Sequence, residues 1–430
     1  MLITFLLLLF TVYLLFQKPE WALLLFFTLT IAAVNFDLSV GGRYRPLLAF
    51  LLLIRSVTDR RFSLASFFQH PGYRLMLLFF GYILFLSWGM QSMQPEVLRL
   101  LLLSVVTAYL AFYAYQVNGS PEILEMAIVF SGLICFADLW YTYKIIGQFP
   151  VQRLYFLLFP NSLTLEEAND TNHNFYGFIC GIGFVLLFAR FIAGGSSVGR
   201  WAPLLLPLLF LGVLMSTSRS TLLGLIVSTL YVWYTGARDP EKRPRVMASM
   251  GLAGIAVGGI LVLFVALQTF LELDNSFISN ITMRLVEEPV AVIRKQLGYS
   301  YNVQDLDAMD WRKESAGLAL EAYSRLPVQE QLTGVGIGGY LQRDLGRNGL
   351  NPHNGILYIL VEAGLIGWLI YAAMFRMALL AGKQSQMFPM LLVLVFILFY
   401  SLGQNEELIS ATAMSFVSTL FAGLKNKRDD

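Results

Sequence analysis

The chain has 430 residues, of which 57% are hydrophobic and only 13% are charged. A soluble domain carries about 25% charged residues, so this composition excludes a soluble enzyme, a disordered chain and a nucleic-acid-binding protein. The formal net charge of +2 says little by itself, and the distribution of the charges along the chain is more useful.

Apolar runs of the kind that cross a membrane recur along almost the whole chain. A helical crossing needs about 20 residues, and twelve runs meet or approach this length. They are 2–16, 21–36, 74–92, 97–116, 122–146, 172–193, 201–216, 219–235, 246–271, 354–375, 386–403 and 408–424. The sequence therefore predicts an all-α polytopic membrane protein with about twelve transmembrane helices.

One further apolar run, 46–54, is too short for this class. About nine helical residues span roughly 14 Å, which is half of the hydrocarbon thickness. We interpret this run as an interfacial or half-inserted segment, and a thirteenth full span is the alternative.

The distribution of Lys and Arg predicts the orientation. Cytoplasmic loops are enriched in these residues. With twelve spans and a cytoplasmic N-terminus, the inner segments hold seventeen of them, and the short outer loops hold four: Lys18, Arg99, Arg153 and Arg219. Both termini of this multi-pass membrane protein are therefore predicted to be cytoplasmic.

A long loop interrupts the regular succession of spans. We divide the chain into helices and short loops at 1–271, a large outer loop at 272–352 and C-terminal helices at 353–430. Within the loop, apolar residues at helical spacing predict a helix over Asp305–Leu326, which Pro327 ends. The glycines between Gly334 and Gly339 predict a tight turn.

Polar residues at the outer ends of spans are candidates for function, because such residues are costly near lipid unless they are used. Asn172, His173 and Asn174 open one span with hydrogen-bonding groups that suit a sugar or a diphosphate, or they simply cap the helix. Ser218, Arg219 and Ser220 form an outer hairpin, where the arginine fork suits phosphate; an arginine that reaches toward lipid phosphates is the alternative.

The start of the 354–375 span carries a histidine. Asn351 is a possible N-cap and Pro352 a possible first helical residue. His353 would then lie in the first turn, where the positive end of the helix favours a neutral imidazole that can accept a proton. A capping or interfacial histidine is the alternative.

The long loop supplies further cations. Arg312 is the preferred partner for Arg219, and Arg284 and Arg294 are alternatives. A solvated helix face is the other interpretation of these charges. Nothing in the sequence requires a metal ion or another cofactor, because neither a metal-ligand spacing nor a phosphate-binding glycine loop is present.

Three groups of residues together resemble the O-antigen ligase and polymerase family. The first runs from His353-Asn354-Gly355-x-Leu357 into Val361-Glu362-x-Gly364-Leu365-x-Gly367. The second is Ser218-Arg219-Ser220 at the start of a span. The third is Arg312, followed by Pro327 and Gly334-Val335-Gly336-x-Gly338. These motifs cover roughly 170–375.

The resemblance implies a GT-C-type membrane glycosyltransferase. Such an enzyme takes a glycan from undecaprenyl diphosphate on the periplasmic side, without a nucleotide sugar or a metal. His353 would activate the acceptor hydroxyl, and Arg219 with a loop arginine would stabilise the diphosphate leaving group. Direct attack would invert the anomeric centre.

The acceptor distinguishes the possible activities. A ligase delivers the glycan to lipid A-core in lipopolysaccharide assembly, and a polymerase delivers it to a second lipid-linked repeat unit. We favour the ligase slightly. A flippase for lipid-linked oligosaccharides is the alternative from another class, and it would need ionisable residues near the bilayer midplane; Asp138 and Glu362 are the main ones here.

Overall fold

The computed structural model of the protein is almost entirely helical. It describes residues 13, 15, 17–32, 37–38, 42–60, 62–90, 95–146, 173–194, 198–216, 218–251, 307–345, 354–382, 387–401 and 410–423. Only one strand pair occurs in this part of the chain, a two-residue antiparallel ladder of β1 (Asp37–Leu38) and β2 (Gly42–Arg43).

The helices fall into two compact units. Unit 1 comprises Met1–Ile128 and Asp307–Asp430, and unit 2 comprises Val129–Leu306. The helices before the division are α1 (Pro19–Ile31), α2 (Tyr44–Thr58), α3 (Leu64–Gln69), α4 (Pro71–Gly89) and α5 (Pro95–Asn118), and α6 (Glu122–Ile146) passes from unit 1 into unit 2.

Unit 2 continues with three long helices. They are α7 (His173–Ala193), α8 (Ala202–Ser216), which a 3-10 turn (Val198–Trp201) precedes, and α9 (Arg219–Ala237). Unit 1 resumes with α10 (Asp307–Arg325), α11 (Val328–Thr333), α12 (Gly339–Gln342), α13 (Gly355–Ala381), α14 (Phe388–Ser401) and α15 (Ala411–Ala422).

The described helices confirm an all-α polytopic membrane protein. Seven are long and apolar enough to cross a membrane, and three shorter apolar helices, at Pro19–Ile31, Phe388–Ser401 and Thr412–Ala422, accompany them. These ten coincide with ten of the twelve predicted spans. Most of the run at 2–16 and most of the run at 246–271 lie outside the described residues.

The short apolar run at 46–54 belongs to a longer helix than the sequence predicted. Helix α2 has 15 residues. Tyr44 and Arg45 extend the apolar run at one end, and residues 55–58 extend it at the other. Leu48 and Leu52 are buried, whereas Phe50 and Val57 are exposed. This one-sided burial fits the interfacial or half-inserted interpretation.

The predicted elements of the long loop are present in its described part. Helix α10 ends at Arg325, two residues before Pro327. Gly334, Gly336 and Gly338 all have positive φ, so the chain makes the predicted tight turn. We call residues 334–339 the glycine turn.

Helix α13 is broken where it meets the glycine turn. Gly364 has φ 65° and ψ −177°, a conformation that is strained for any residue with a side chain. The break leaves two helical carbonyls without their usual partners. The N–H of Val335 donates to the carbonyl of Val361 (3.2 Å), and the N–H of Gly336 donates to that of Glu362 (2.9 Å).

We expect Gly364→Ala to destabilise the protein. A Cβ there would lie 2.3 Å from the Gly334 nitrogen and 2.5 Å from the Leu332 oxygen, and the backbone strain alone costs about 1–3 kcal/mol. The thermal unfolding midpoint in detergent should fall. Gly81→Ala is the matched control, since nothing lies within 4 Å of its added Cβ. Equal midpoints for the two variants would contradict the steric argument.

Candidate functional site

The polar hairpin of unit 2 joins α8 to α9. Ser216 ends α8, and Ser218 is the N-cap residue of α9. The N–H of Ser218 donates to Ser216 Oγ (3.3 Å), and Thr221 Oγ1 donates to Ser218 Oγ (2.8 Å). Arg219 is therefore the first residue of α9, as the sequence predicted, and its side chain is half-buried. The positive end of the helix adds to its charge.

The start of α7 lies against this hairpin. Gly177 of α7 has no side chain, and a Cβ at this position would be 2.0 Å from Ser216 Oγ and 3.5 Å from Ser218 Cβ. The half-buried Asn174 is three residues earlier, about 4.5 Å along the helix axis. The structure thus brings two predicted polar groups, Asn174 and Ser218–Ser220, to the same end of unit 2.

The other two residues predicted at this end are His173 and Asn172. Helix α7 begins at His173. The imidazole of His173 is outside the described side chains, and Asn172 is outside the described residues.

A buried pair of polar side chains, a carboxylate of α6 and a phenol of α7, lies near the polar start of α7. The hydroxyl of Tyr176 donates to Asp138 Oδ2 at 3.5 Å, and both residues are buried. Sequence reasoning noted Asp138 as a rare charge within a span but missed Tyr176 and Gly177. The available signal was their place one turn after the polar residues 172–174. A polar pair within a span is typical of a functional region.

A second polar region lies at the start of α13 in unit 1. Asn354 is the N-cap, and its side-chain oxygen accepts hydrogen bonds from the N–H groups of Ile356 and Leu357, both at 3.1 Å. The prediction of Asn351 as N-cap, with Pro352 and His353 in the first turn, was wrong, because the Asn354 amide satisfies these donors and α13 begins at Gly355. His353 lies outside the described residues.

Helix α10 packs on the first half of α13. Its buried residue Ala319, and Leu326 directly after its end, share a hydrophobic cluster with Val335, Tyr340 and Val361. Burial raises the pKa of the Tyr340 hydroxyl to about 12, so this phenol is neutral at physiological pH. The cluster fixes the described part of the long loop against the helix that follows it.

Of the three candidate loop arginines, only Arg312 belongs to a described helix. Position 312 is part of α10, and at seven residues before Ala319 it lies on the same helix face. The side chain of Arg312 is not among those described, and Arg284 and Arg294 lie outside the described residues.

Comparison with known proteins assigns the middle of the chain to a family. The family model described as O-antigen ligase matches residues 204–372, a segment that includes most of α8 and extends into α13. This match to residues 204–372 supports the resemblance to the O-antigen ligase family that the motifs indicated. It supports a ligase- or polymerase-type function in general, in a family of glycosyltransferase-like membrane enzymes. No curated protein matches the chain.

We expect Gly177→Ala to displace the hairpin. The added Cβ would lie 2.0 Å from Ser216 Oγ and 2.5 Å from Ser216 Cβ, and such overpacking costs about 1–3 kcal/mol. The thermal unfolding midpoint of Gly177→Ala should therefore be lower than that of the wild type. When Ser216 is already replaced by glycine, the additional change Gly177→Ala should lower the midpoint much less.

Gly251→Ala is the control within unit 2, since nothing lies within 4 Å of its added Cβ. Additive losses in the double variant would refute the contact between Gly177 and Ser216.

Proposed function

We propose that the protein transfers a glycan from undecaprenyl diphosphate to a hydroxyl of lipid A-core, on the periplasmic side of the bacterial inner membrane. One observation carries this proposal: the O-antigen ligase match at 204–372 contains Arg219, Arg312 and His353. These are the three residues for which the chemistry of the sequence gives catalytic roles.

Arg219 would stabilise the diphosphate leaving group. Its guanidinium is permanently charged and presents two parallel donors to phosphate oxygens. It opens α9, where the N–H groups of the first turn add positive potential. Ser218 and Ser220, beside it in sequence, and the polar start of α7 would bind the sugar or the diphosphate.

Arg312 is the loop arginine that we favour. Its helix packs on the first half of α13, whose start directly follows His353. In this proposal, Arg312 contributes a second cation to the site. Asn354 caps α13 through its side-chain oxygen, and in this proposal its amide N–H₂ group contacts the substrate.

His353 would act as general base toward the acceptor hydroxyl. A neutral imidazole can accept that proton as the hydroxyl attacks the anomeric carbon, while the diphosphate departs. A single displacement inverts the anomeric centre, and no step in this scheme needs a metal ion or a nucleotide sugar.

The arrangement of unit 1 supports the proposed orientation of these groups. The C-terminal half of α4 and the first half of α13 lie at the same end of the unit, since Tyr82 donates to the carbonyl of Ala363 (3.1 Å). The distribution of Lys and Arg predicts that both ends are periplasmic.

The proposal is tested with purified protein in detergent or proteoliposomes. Undecaprenyl-diphosphate glycan is supplied with lipid A-core or with no second acceptor. Glycan-modified core is the expected product. Lengthened lipid-linked chains would identify a polymerase instead, and donor movement across the bilayer without turnover would identify a flippase.

We expect His353→Ala to abolish measurable transfer while the protein still inserts and folds. Loss of a general base typically costs about 10²–10⁴-fold in rate. The rate of core modification is measured beside that of His70→Asn. His70 caps α4 by accepting a hydrogen bond from the N–H of Gly72, and asparagine is also a good N-cap. Normal transfer by His353→Ala would reject the assignment of the base.

We expect Arg219→Lys to lower the transfer rate about tenfold to a hundredfold, because a point charge lacks the paired donors of guanidinium. Arg238→Lys is the matched control at the other end of α9, where the guanidinium lies 4.1 Å from the Tyr234 ring centroid. Equal rates for wild type and Arg219→Lys would favour an arginine that only contacts lipid phosphates.

A further inference from the structure

The carboxylate of Glu362 lies inside unit 1 at the break of α13. The residue is 1% exposed. Its Oε1 accepts a hydrogen bond from the N–H of Gly338 at 2.8 Å. A carboxylate in an apolar span is costly and is kept where it has a use; the proposed mechanism gives Glu362 none.

Two further hydrogen-bond donors lie near the Glu362 carboxyl group. Glu362 Oε2 makes no hydrogen bond within the described part of the chain, and the Tyr358 hydroxyl and the Tyr340 N–H are the donors nearby. The small cavity at this point is lined mainly by apolar side chains, among them Phe79, Ile83 and Ile337. The geometry thus uses one oxygen as a hydrogen-bond acceptor for the glycine turn.

Helix α4 holds the same turn from the other side. The N–H of Ile337 donates to Ser87 Oγ at 3.0 Å, and the Tyr82 hydroxyl donates to the carbonyl of Thr333 at 2.6 Å. Gly334 and Gly364 touch through their backbones, so neither position has room for a side chain. The glycine turn is therefore fixed between α4 and α13.

This joint connects the two elements that bear the proposed catalytic groups of unit 1. Glu362 is eight residues, about 12 Å, beyond the N-cap Asn354, in the helix half that follows His353. Through the cluster with Ala319 and Val335, the glycine turn is also continuous with α10, which carries position 312.

We propose that Glu362 is a positioning residue for glycan transfer: by binding the N–H of Gly338, it sets α10 relative to the start of α13. This inference rests on the proposed function. A displacement of about 1 Å between groups that act on the same bond can lower a rate about a hundredfold.

The test compares three variants in the ligation assay, with kcat and KM measured separately. Glu362→Gln keeps an oxygen acceptor for Gly338, and Glu362→Met keeps the volume but removes the acceptor. Ser87→Ala removes the second side-chain acceptor of the turn, at Ile337, and covers the case in which Glu362→Met does not fold. Glu125→Met is the control, because Glu125 is also 1% exposed in a span of unit 1.

We expect Glu362→Met to lower kcat about tenfold to a hundredfold with little change in the KM of the donor. Ser87→Ala should lower kcat less, and Glu362→Gln should stay within about threefold of wild type, because it restores the hydrogen bond. Glu125→Met should leave kcat unchanged.

Three results would overturn the inference. A Glu362→Gln variant as slow as Glu362→Met would show that the charge or proton of the carboxylate matters and not its hydrogen bond. If Glu362→Met folds and its kcat is unchanged, the joint does not position the reacting groups. If Glu362→Met does not fold, an unchanged kcat in Ser87→Ala leads to the same conclusion. A fall of kcat in Glu125→Met as large as that in Glu362→Met would reveal a general effect of losing a buried carboxylate. If wild type itself transfers no glycan, the proposed function fails, whatever Glu362 does.

Discussion

The architecture of unit 1 depends on one constraint: within an apolar span, every backbone carbonyl and N–H needs a partner inside the protein. Gly364 breaks α13 and releases the carbonyls of Val361 and Glu362, and the glycine turn supplies N–H groups to both. The long loop is therefore not simply attached to the membrane helices. The glycine turn completes the hydrogen bonding of α13, and this is why that turn and the broken helix take up a fixed geometry.

A related device operates in unit 2. Gly177 lets the hairpin between α8 and α9 approach α7 at van der Waals distance, and the hairpin is stabilised internally by its own serine and threonine hydroxyls. Polar residues that would be costly singly are thus gathered at one end of three helices. The buried hydroxyl of Tyr176 and carboxylate of Asp138 satisfy each other below them. In both units a glycine on a helix provides the place where a polar turn docks.

Periodicity and turn chemistry predicted much of this fold. The apolar runs predicted the ten described spans. Pro327 predicted the end of α10, and the glycines near 334 predicted the turn. These predictions were possible because each element depends on residues that are neighbours in sequence. The N-cap of α13 was assigned wrongly because Asn351 and Asn354 both have the required amide, and only the observed hydrogen bonds to Ile356 and Leu357 distinguish them. The pairing of Glu362 with Gly338, and of Gly177 with Ser216, involves residues distant in sequence, so no local pattern could show it.

The location of these contacts separates two kinds of residue within the family motif. In the proposed mechanism, the roles of His353 and Arg219 depend on their own chemistry, a transferable proton and a fixed positive charge. Gly334, Gly364 and Glu362 have roles that depend on shape and on hydrogen bonds within the protein. The second group can hold the same geometry whatever hydroxyl attacks the donor. Donor chemistry and its scaffold would then be common to ligases and polymerases, and the choice of acceptor would depend on residues outside this joint.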